Sequence, residues 1–191
     1  MATLTLTGPR PVLADLLPRS LAADVTLVVS GAALTGLAAQ VSFLTPLSPV
    51  PFTLQTLAVL IVGTALGTVR GMASMALYLV AGLAGVPWFA DGAHGYVGAS
   101  FGYIVGFVLA ATVVGRLAEG GADRRVPSMV GLMALGIAVI YAVGATWLAL
   151  YLGLGPDEAL AKGVTPFLAA DAVKIALAAL AFPVTWRFAR R

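Results

Sequence analysis

The 191-residue chain has the composition of a membrane protein: 60% of its residues are hydrophobic, 10% are charged, and its mean hydropathy is +1.01. That leaves too little charge to cover the core of a water-soluble domain. The absence of cysteine excludes disulfides, thiolate metal sites and cysteine nucleophiles. The single histidine cannot form a zinc site alone, so we expect no metal site. The net charge of +3 is dispersed over segment ends and forms no basic patch, which argues against nucleic-acid binding.

The first 21 residues precede the apolar segments. Pro9, Pro11 and Pro18 interrupt this stretch, which argues against a cleaved signal peptide. Its leucines could form a short turn at the membrane interface, and a disordered tail fits equally well. We therefore predict a cytoplasmic or interfacial segment over 1–21 and a single membrane domain over 22–191.

Six apolar segments follow, bounded mostly by glycine and proline. They span approximately 22–44, 53–69, 72–86, 100–117, 128–152 and 166–187. Because about 20 apolar residues cross the hydrocarbon core as a helix, the pattern predicts an all-α integral membrane protein, a six-transmembrane-helix bundle. The third segment is short, so five spans and a re-entrant segment remain an alternative.

The arginines indicate the orientation of this bundle. All nine fall on one side of a six-span arrangement, namely Arg10, Arg19, Arg70, Arg116, Arg124, Arg125, Arg187, Arg190 and Arg191. The opposite loops carry Lys162 together with Asp91, Asp157 and Glu158. By the positive-inside rule, both termini are predicted to be cytoplasmic.

Small residues recur at helical spacing in several spans. Gly98, Gly102, Gly106 and Ala110 are four residues apart, as are Gly63, Gly67 and Gly71. Such stripes let helix backbones approach closely, so we expect them to face other helices of the chain. Ala32 and Gly36 form a similar stripe in the first span, which predicts either an internal contact or a docking face for a partner helix.

Two charged residues interrupt the last apolar segment. Asp171 and Lys174 lie three residues apart, on one helical face, where they can neutralise each other. Each charge at the membrane centre costs about 2.5–3.5 kcal/mol or more, so a buried structural pair or a functional site is needed to explain them. About 8–12 Å below the outer surface at 1.5 Å per residue, they would line a pocket that opens outward.

The outer loops supply aromatic and polar residues at the same level. They are Phe52, Gln55, Trp88, Phe89, Asp91, Tyr96, Ser100 and Tyr103. Each aromatic residue alone is typical of an interfacial anchor, but together with the charged pair they predict a pocket with flat apolar walls and a few polar groups. Such a pocket suits a small, partly apolar ligand with a polar head.

Three segments resemble the BioY family of biotin transporters, which are substrate-binding S components of energy-coupling factor (ECF) importers. They are residues 50–56 (Val-Pro-Phe-Thr-Leu-Gln-Thr), residues 78–90, which run from Tyr78 through a Gly-Val-Pro to Trp-Phe-Ala, and residues 171–174 (Asp-Ala-Val-Lys). The resemblance covers nearly the whole chain from about residue 25. One departure lies at the start of the fourth span, where Phe101 replaces a residue that is usually small and could alter the pocket wall.

This resemblance implies a six-helix bundle that binds biotin in an outward-facing cavity, with Asp171 and Lys174 contacting the polar bicyclic ring. The other residues it places at the ligand are Gln55, Tyr78, Trp88, Phe89, Asp91 and Tyr103. It also implies that small residues spaced like Ala32 and Gly36 meet the transmembrane coupling subunit of the importer.

The chain carries no Gly-x-x-x-x-Gly-Lys-Ser/Thr loop, so it has no recognisable phosphate cradle for ATP. Uptake of a scarce vitamin then needs another energy source. The resemblance implies two ATPase subunits and a coupling subunit, and a solitary carrier is the alternative.

Two further function classes are less well supported. Residues 98–102 look superficially like the serine motif of intramembrane proteases, but His94, the sole histidine, lies in a loop where a base on a facing helix would be needed. A proton pathway needs a chain of ionisable groups across the membrane, and the inner halves of the spans have none. We therefore expect neither catalytic residues nor a cofactor.

Overall fold

The computed structural model describes residues 11–18, 20–96 and 98–189, most of which are helical. The long helices are α1 (Leu21–Gln40), α2 (Gln55–Leu83), α3 (Phe101–Glu119), α4 (Val126–Leu152) and α6 (Leu168–Ala189), and α5 (Pro156–Gly163) is a short helix between the last two. Strands β1 (Ser42–Thr45) and β2 (Ser48–Thr53) lie between α1 and α2. Short 3₁₀ turns occur at Leu13–Leu16, Ala90–Gly92, Gly98–Ser100, Ala122–Arg124 and Thr165–Phe167.

Five helical segments within the described ranges are long and apolar enough to cross a bilayer. One of them is α2, with 29 residues. At 1.5 Å per residue a straight helix of that length would extend over about 43 Å, well beyond a hydrocarbon core of about 30 Å. Its internal geometry explains how such a length is accommodated.

Helix α2 reverses direction at Gly67. The φ of Gly67 is 82° and its ψ is −176°, a backbone conformation that glycine adopts without the steric penalty of a side chain. The reversal brings the Gln55 Nε2 atom to 2.7 Å from the Tyr78 hydroxyl, although the two residues are 23 positions apart. We call residues 55–66 and 68–83 the first and second arms of α2. The turn falls between the predicted second and third spans.

The predicted glycine stripes pack helices against one another, as expected. A Cβ at Gly63 would lie 2.8 Å from the Ala111 Cα of α3, and one at Gly106 would lie 3.2 Å from the Ile140 carbonyl oxygen of α4. Gly67 forms the turn and so does not continue a stripe along one helix, but it also lies against α3, since a Cβ at Gly115 would lie 2.6 Å from the Gly67 carbonyl carbon. Gly63 and Gly71 instead face each other across that turn.

Residues 42–53 form a β-hairpin that the sequence analysis did not predict. The first span was expected to continue to residue 44, but α1 ends at Gln40. The hairpin is antiparallel, with Phe43 opposite Phe52 and Thr45 opposite Ser48. Prolines at 46, 49 and 51 disfavour a helix here, whereas β-branched and aromatic residues favour extended chain. The expectation of a purely α-helical chain is therefore wrong in this segment.

The inner end of the bundle, which carries the predicted cytoplasmic arginines, is held by ion pairs between distant segments. The Arg70 guanidinium lies 3.0 Å from an Asp15 carboxylate oxygen and 2.8 Å from one of Asp24. Glu119 of α3 accepts a hydrogen bond of 2.8 Å from the backbone N–H of Thr68, just after the α2 reversal. The predicted N-terminal turn is formed at Leu13–Leu16, next to the buried Val12.

Four arginines used to predict the orientation lie outside the described residues. They are Arg10, Arg19, Arg190 and Arg191.

Candidate functional site

Asp171 and Lys174 lie in the first turns of α6, where a 3₁₀ turn at Thr165–Phe167 leads the chain into the helix. Their side chains meet on one face, with 2.7 Å between Lys174 Nζ and Asp171 Oδ1. The carboxylate also accepts hydrogen bonds from the hydroxyls of Thr56, at 3.2 Å, and Tyr141. The charges are thus neither turned to lipid nor left unpaired.

The Lys174 ammonium is saturated with acceptors. It donates to the Thr53 carbonyl oxygen at 2.9 Å, to the Thr56 hydroxyl at 2.7 Å and to Asp171. An ammonium has three N–H donors, so all of them are used. These bonds connect α6 to the end of β2 and to the first arm of α2. We call Thr53, Thr56, Tyr141, Asp171 and Lys174 the polar cluster.

The polar cluster lies at one wall of a cavity of about 360 Å³. The other walls come from the β-hairpin, the start of α2, the loop after α2, α3 with the turn before it, and the turn before α6. Apart from the polar cluster, the lining residues are Leu44, Pro49, Val50, Pro51, Gln55, Phe89, Ala90, Asp91, Ala93, His94, Tyr96, Ser100, Tyr103, Ile104, Phe107 and Phe167. Mostly apolar walls with a few converging polar groups are typical of a small-molecule site.

The β-hairpin covers one side of this cavity. The Phe52 ring packs on the Phe167 ring at 4.4 Å between centroids, and Phe43 stacks on the opposite strand at 5.1 Å from Phe52. On the other side, the Gln40 amide donates to the carbonyl oxygens of Trp88 and Phe89, at 3.3 and 3.1 Å. The end of α1 therefore holds the loop that carries Phe89 to the cavity.

The structure divides the eight predicted ligand residues into two groups. Six line the cavity, namely Gln55, Phe89, Asp91, Tyr103, Asp171 and Lys174. Tyr78 and Trp88 do not line the cavity and lie behind the lining residues Gln55 and Phe89. The Tyr78 hydroxyl accepts a bond from Gln55 and donates to the Trp88 carbonyl at 3.1 Å, and the Trp88 indole donates to the Tyr78 carbonyl at 2.9 Å. These two residues support the lining and do not form it.

Sequence analysis missed three members of the polar cluster. Thr53 and Thr56 belong to the segment 50–56 that carried the family resemblance, but threonine is common enough in membrane helices to attract no attention. Tyr141 lies in the fifth predicted span with apolar neighbours, and its hydroxyl reaches Asp171 only because α4 and α6 pack together. The one sequence feature that could have indicated its role is the position of a tyrosine hydroxyl in the middle of a predicted apolar span.

Phe101, the departure from the family pattern, does not line the cavity. Its ring instead joins a cluster near the start of α3 and the end of α4, with centroids 5.3 Å from Tyr96 and 5.5 Å from Trp147. The larger side chain is accommodated outside the pocket wall. The cluster also holds Tyr96, which does line the cavity, against α4.

The predicted docking stripe on α1 faces the protein interior. Ala32 is fully buried, and a Cβ at Gly36 would lie 3.2 Å from the Cβ of Trp88. Of the two alternatives offered by the sequence, the internal contact is the one these positions make. Their part in partner docking stays a prediction.

Among the described residues, no group of three His, Cys, Asp or Glu side chains lies close enough together to hold a metal ion. What the cavity offers is hydrogen-bond donors and acceptors from a neutralised ion pair, set against aromatic walls. This arrangement can orient a ligand that has both N–H and C=O groups.

Several long apolar helices around such a cavity define a multi-pass membrane protein of the kind that holds a small molecule. The chain belongs to the BioY family, whose family model matches residues 10–191. The family is one of transporters and not of enzymes, so the serine-protease alternative is rejected.

Named relatives are similar over most of their length. A probable biotin transporter BioY of Pyrococcus horikoshii is 37% identical over 162 residues, which are 83% of this chain and 93% of the relative. The biotin transporter BioY of Thermotoga maritima is 38% identical over 141 residues, which are 71% and 80% of the two chains. Biotin transporter BioY2 of Lactococcus lactis is 32% identical over 158 residues, 81% and 85%.

The fold is also that of a solved structure, the S-component for biotin from an ECF-type ABC transporter. The TM-score is 0.79 at 19% sequence identity, and the match covers 89% of this chain and 95% of that one. At this identity, the similarity establishes the fold.

Proposed function

We propose that this protein binds biotin from the outer side of the membrane and mediates its uptake as the substrate-capture subunit of an ECF-type ABC importer. The observation that carries the proposal is the hydrogen-bonded Asp171–Lys174 ion pair at the wall of an otherwise mostly apolar cavity. Family membership and the names of its relatives make biotin the ligand to test first.

The polar cluster matches the chemistry of the biotin ring. The cyclic urea of biotin has two N–H donors and one carbonyl acceptor. The Asp171 carboxylate can accept N–H bonds and the Lys174 ammonium can donate to the carbonyl. Because the Lys174 donors are already occupied, a bound carbonyl must replace one of the present acceptors. The Thr56 hydroxyl is suited to this exchange, since it can rotate and act as donor or acceptor.

The walls match the apolar part of the same ligand. Phe89, Tyr103 and Phe107 are buried aromatic residues from the loop after α2 and from α3. They offer flat surfaces to the sulfur-containing ring and the aliphatic chain of biotin. Burial of this apolar surface would supply affinity, and the polar cluster would supply orientation.

The proposed topology has six spans with both termini in the cytoplasm of a bacterial cell. Counting the two arms of α2 separately supports six passages, and the arginines at the inner end support the orientation. In this arrangement, residues 22–191 form a single membrane domain and residues 1–21 lie at its cytoplasmic face. The cavity then opens to the outside.

The proposed partners are a transmembrane coupling subunit and two ATPase subunits. The chain has no phosphate-binding loop of its own, and the solved structure with the same fold is an S-component. Ala32 and Gly36 are proposed to contribute to the coupling contact by letting α1 lie close to the bundle. The face that α1 leaves exposed, with Val29 and Leu37, would then meet the partner.

Calorimetric titration of the purified protein with biotin tests the proposal, with thiamine and riboflavin as control ligands. Biotin is expected to bind and thiamine and riboflavin are not. The Asp171→Asn substitution should severely weaken the binding of biotin. The matched control is Glu158→Gln, which removes an acid from the exposed pair with Lys162 on α5. Biotin binding that is the same in wild type and Asp171→Asn would remove the polar cluster from the site.

The solitary carrier remains the second candidate and is distinguished by transport. Proteoliposomes that contain this chain alone are expected not to accumulate biotin. Accumulation without ATPase subunits would reject the importer assignment and leave the biotin site intact.

A further inference from the structure

We infer that the site is indifferent to the charge of the biotin carboxylate, so that neutral amides and esters of biotin are also ligands. This inference rests on the proposed function, because it specifies which part of biotin contributes to binding in the same cavity. It follows from where the structure places positive charge around the cavity.

The polar cluster is a poor site for the ligand's carboxylate. Its cation, Lys174, is 2.7 Å from the Asp171 carboxylate and has all three donors occupied. A second carboxylate brought to Lys174 would also approach Asp171, and repulsion between the two anions would offset its attraction to the ammonium. A neutral urea meets both groups without that penalty. The carboxylate end is therefore left to face the mouth.

The mouth of the cavity offers little positive charge. The outer connections, 41–54, 84–99 and 153–165, contain His94 and Lys162 as their basic residues. Lys162 is paired with Glu158 at 2.7 Å and is not among the lining residues. Among the residues that the structure describes, His94 is thus the one cavity-lining residue other than Lys174 that could give a carboxylate a positive partner.

The acidic group at the mouth acts in the opposite direction. Asp91 is exposed, lines the cavity and accepts a hydrogen bond from the Ser42 hydroxyl at the start of β1. A carboxylate that emerges beside it keeps its hydration and feels a weak, salt-screened repulsion. Removal of the ligand's negative charge should then cost nothing in affinity.

Titration of the full-length protein in lipid nanodiscs with biotin, biotinamide and biotin methyl ester tests this inference. The three dissociation constants are expected to agree within about threefold. Pentanoic acid, which has the side chain without the rings, is expected not to bind. An amide that binds more than about threefold more weakly than biotin would overturn the inference and implicate His94, and binding of pentanoic acid would overturn it as well. Failure of biotin itself would overturn the proposed function and the inference together.

The variant Asp91→Asn tests the role of the mouth. Asp91 has a φ of 57°, which asparagine tolerates, and its side chain can still accept the Ser42 bond. At low salt, the ratio of biotin to biotinamide affinity is expected to rise about twofold, whereas Asp157→Asn on α5, outside the cavity lining, should leave the ratio unchanged. A fall of the ratio in Asp91→Asn would contradict the inferred repulsion.

Discussion

The two ends of the helical bundle both hold charged side chains in ion pairs, but the pairs differ in what they connect. At the inner end, Arg70 joins Asp15 and Asp24, which are 55 and 46 residues away in the sequence. In the outer cavity, Asp171 and Lys174 are three residues apart on one helix. The ion pair itself lies within one helical turn, and the polar cluster connects it to β2, α2 and α4 through Thr53, Thr56 and Tyr141.

The surroundings of the two sets of charges also differ. A cavity of about 370 Å³ lies beside the Arg70 ion pairs at the inner end, and the cavity beside Asp171 and Lys174 has a similar volume of about 360 Å³. The inner one is lined by Val12, Leu66 and Val69, by Glu119, and by Arg70 with Asp15 and Asp24, which it binds across chain segments. The outer one has several aromatic side chains in its walls, and Asp171 and Lys174 lie together at one wall, apart from Asp91. We therefore expect inner-end variants to change stability and outer-end variants to change ligand binding.

The largest effect is expected for Lys174→Met, which leaves the Asp171 carboxylate without its cation. Breaking a buried ion pair costs about 3–5 kcal/mol, so both thermal stability and biotin binding should be lost. The double variant Asp171→Asn/Lys174→Met removes both charges and should recover most of the stability but none of the binding. Thermal unfolding followed by tryptophan fluorescence, together with calorimetry, measures both. Binding by the double variant would disprove a ligand role for the pair.

The next largest effect is expected for Gly67→Ala at the α2 reversal. A side chain in this backbone conformation costs about 1–3 kcal/mol, and its Cβ would lie 2.9 Å from a Glu119 carboxylate oxygen. The melting temperature should fall while biotin affinity stays within about threefold of wild type. Gly131→Ala is the matched control, because its Cβ would meet nothing within 4 Å. An equal loss in both variants would contradict the special role of Gly67.

Tyr141→Phe should have a smaller effect, confined to the outer cavity. It removes the hydroxyl that donates to Asp171, and hydrogen bonds to charged groups contribute about 1.5–3 kcal/mol. Biotin affinity is expected to fall about tenfold, the equivalent of about 1.4 kcal/mol, in calorimetric titration. Tyr151→Phe, in the aromatic cluster outside the cavity lining, is the control. Unchanged affinity in Tyr141→Phe would exclude this hydroxyl from the site.

The smallest effect is expected for Arg70→Gln at the inner end. The Arg70 side chain is 19% exposed, and partly exposed ion pairs contribute up to about 1 kcal/mol each. The melting temperature should fall slightly, by an amount that shrinks as salt rises, and biotin affinity should not change. A loss of binding in Arg70→Gln would mean that the two ends are coupled, and the division of roles drawn above would fail.

Membrane insertion, helix positions and the charged pair could be predicted because they depend on local composition. An apolar run of about 20 residues needs no knowledge of its neighbours to be identified as a span. A buried aspartate and lysine three residues apart are visible in the same way. The β-hairpin was missed because prolines indicate where a helix ends but not what structure follows. Residues 42–44 and 53 were therefore assigned to the flanking spans and residues 45–52 to a loop.

The sequence alone determined the membrane environment, the approximate positions of the helices and the presence of two charged residues within the last helix. All three follow from hydropathy and spacing along the chain. Only the tertiary structure decided the partners of those charges. Thr53, Thr56 and Tyr141 reach Asp171 and Lys174 from other elements. Gly36 faces Trp88, and Ala32 is buried in the interior. Contacts between distant segments depend on how helices pack, and this packing is a property of the whole chain.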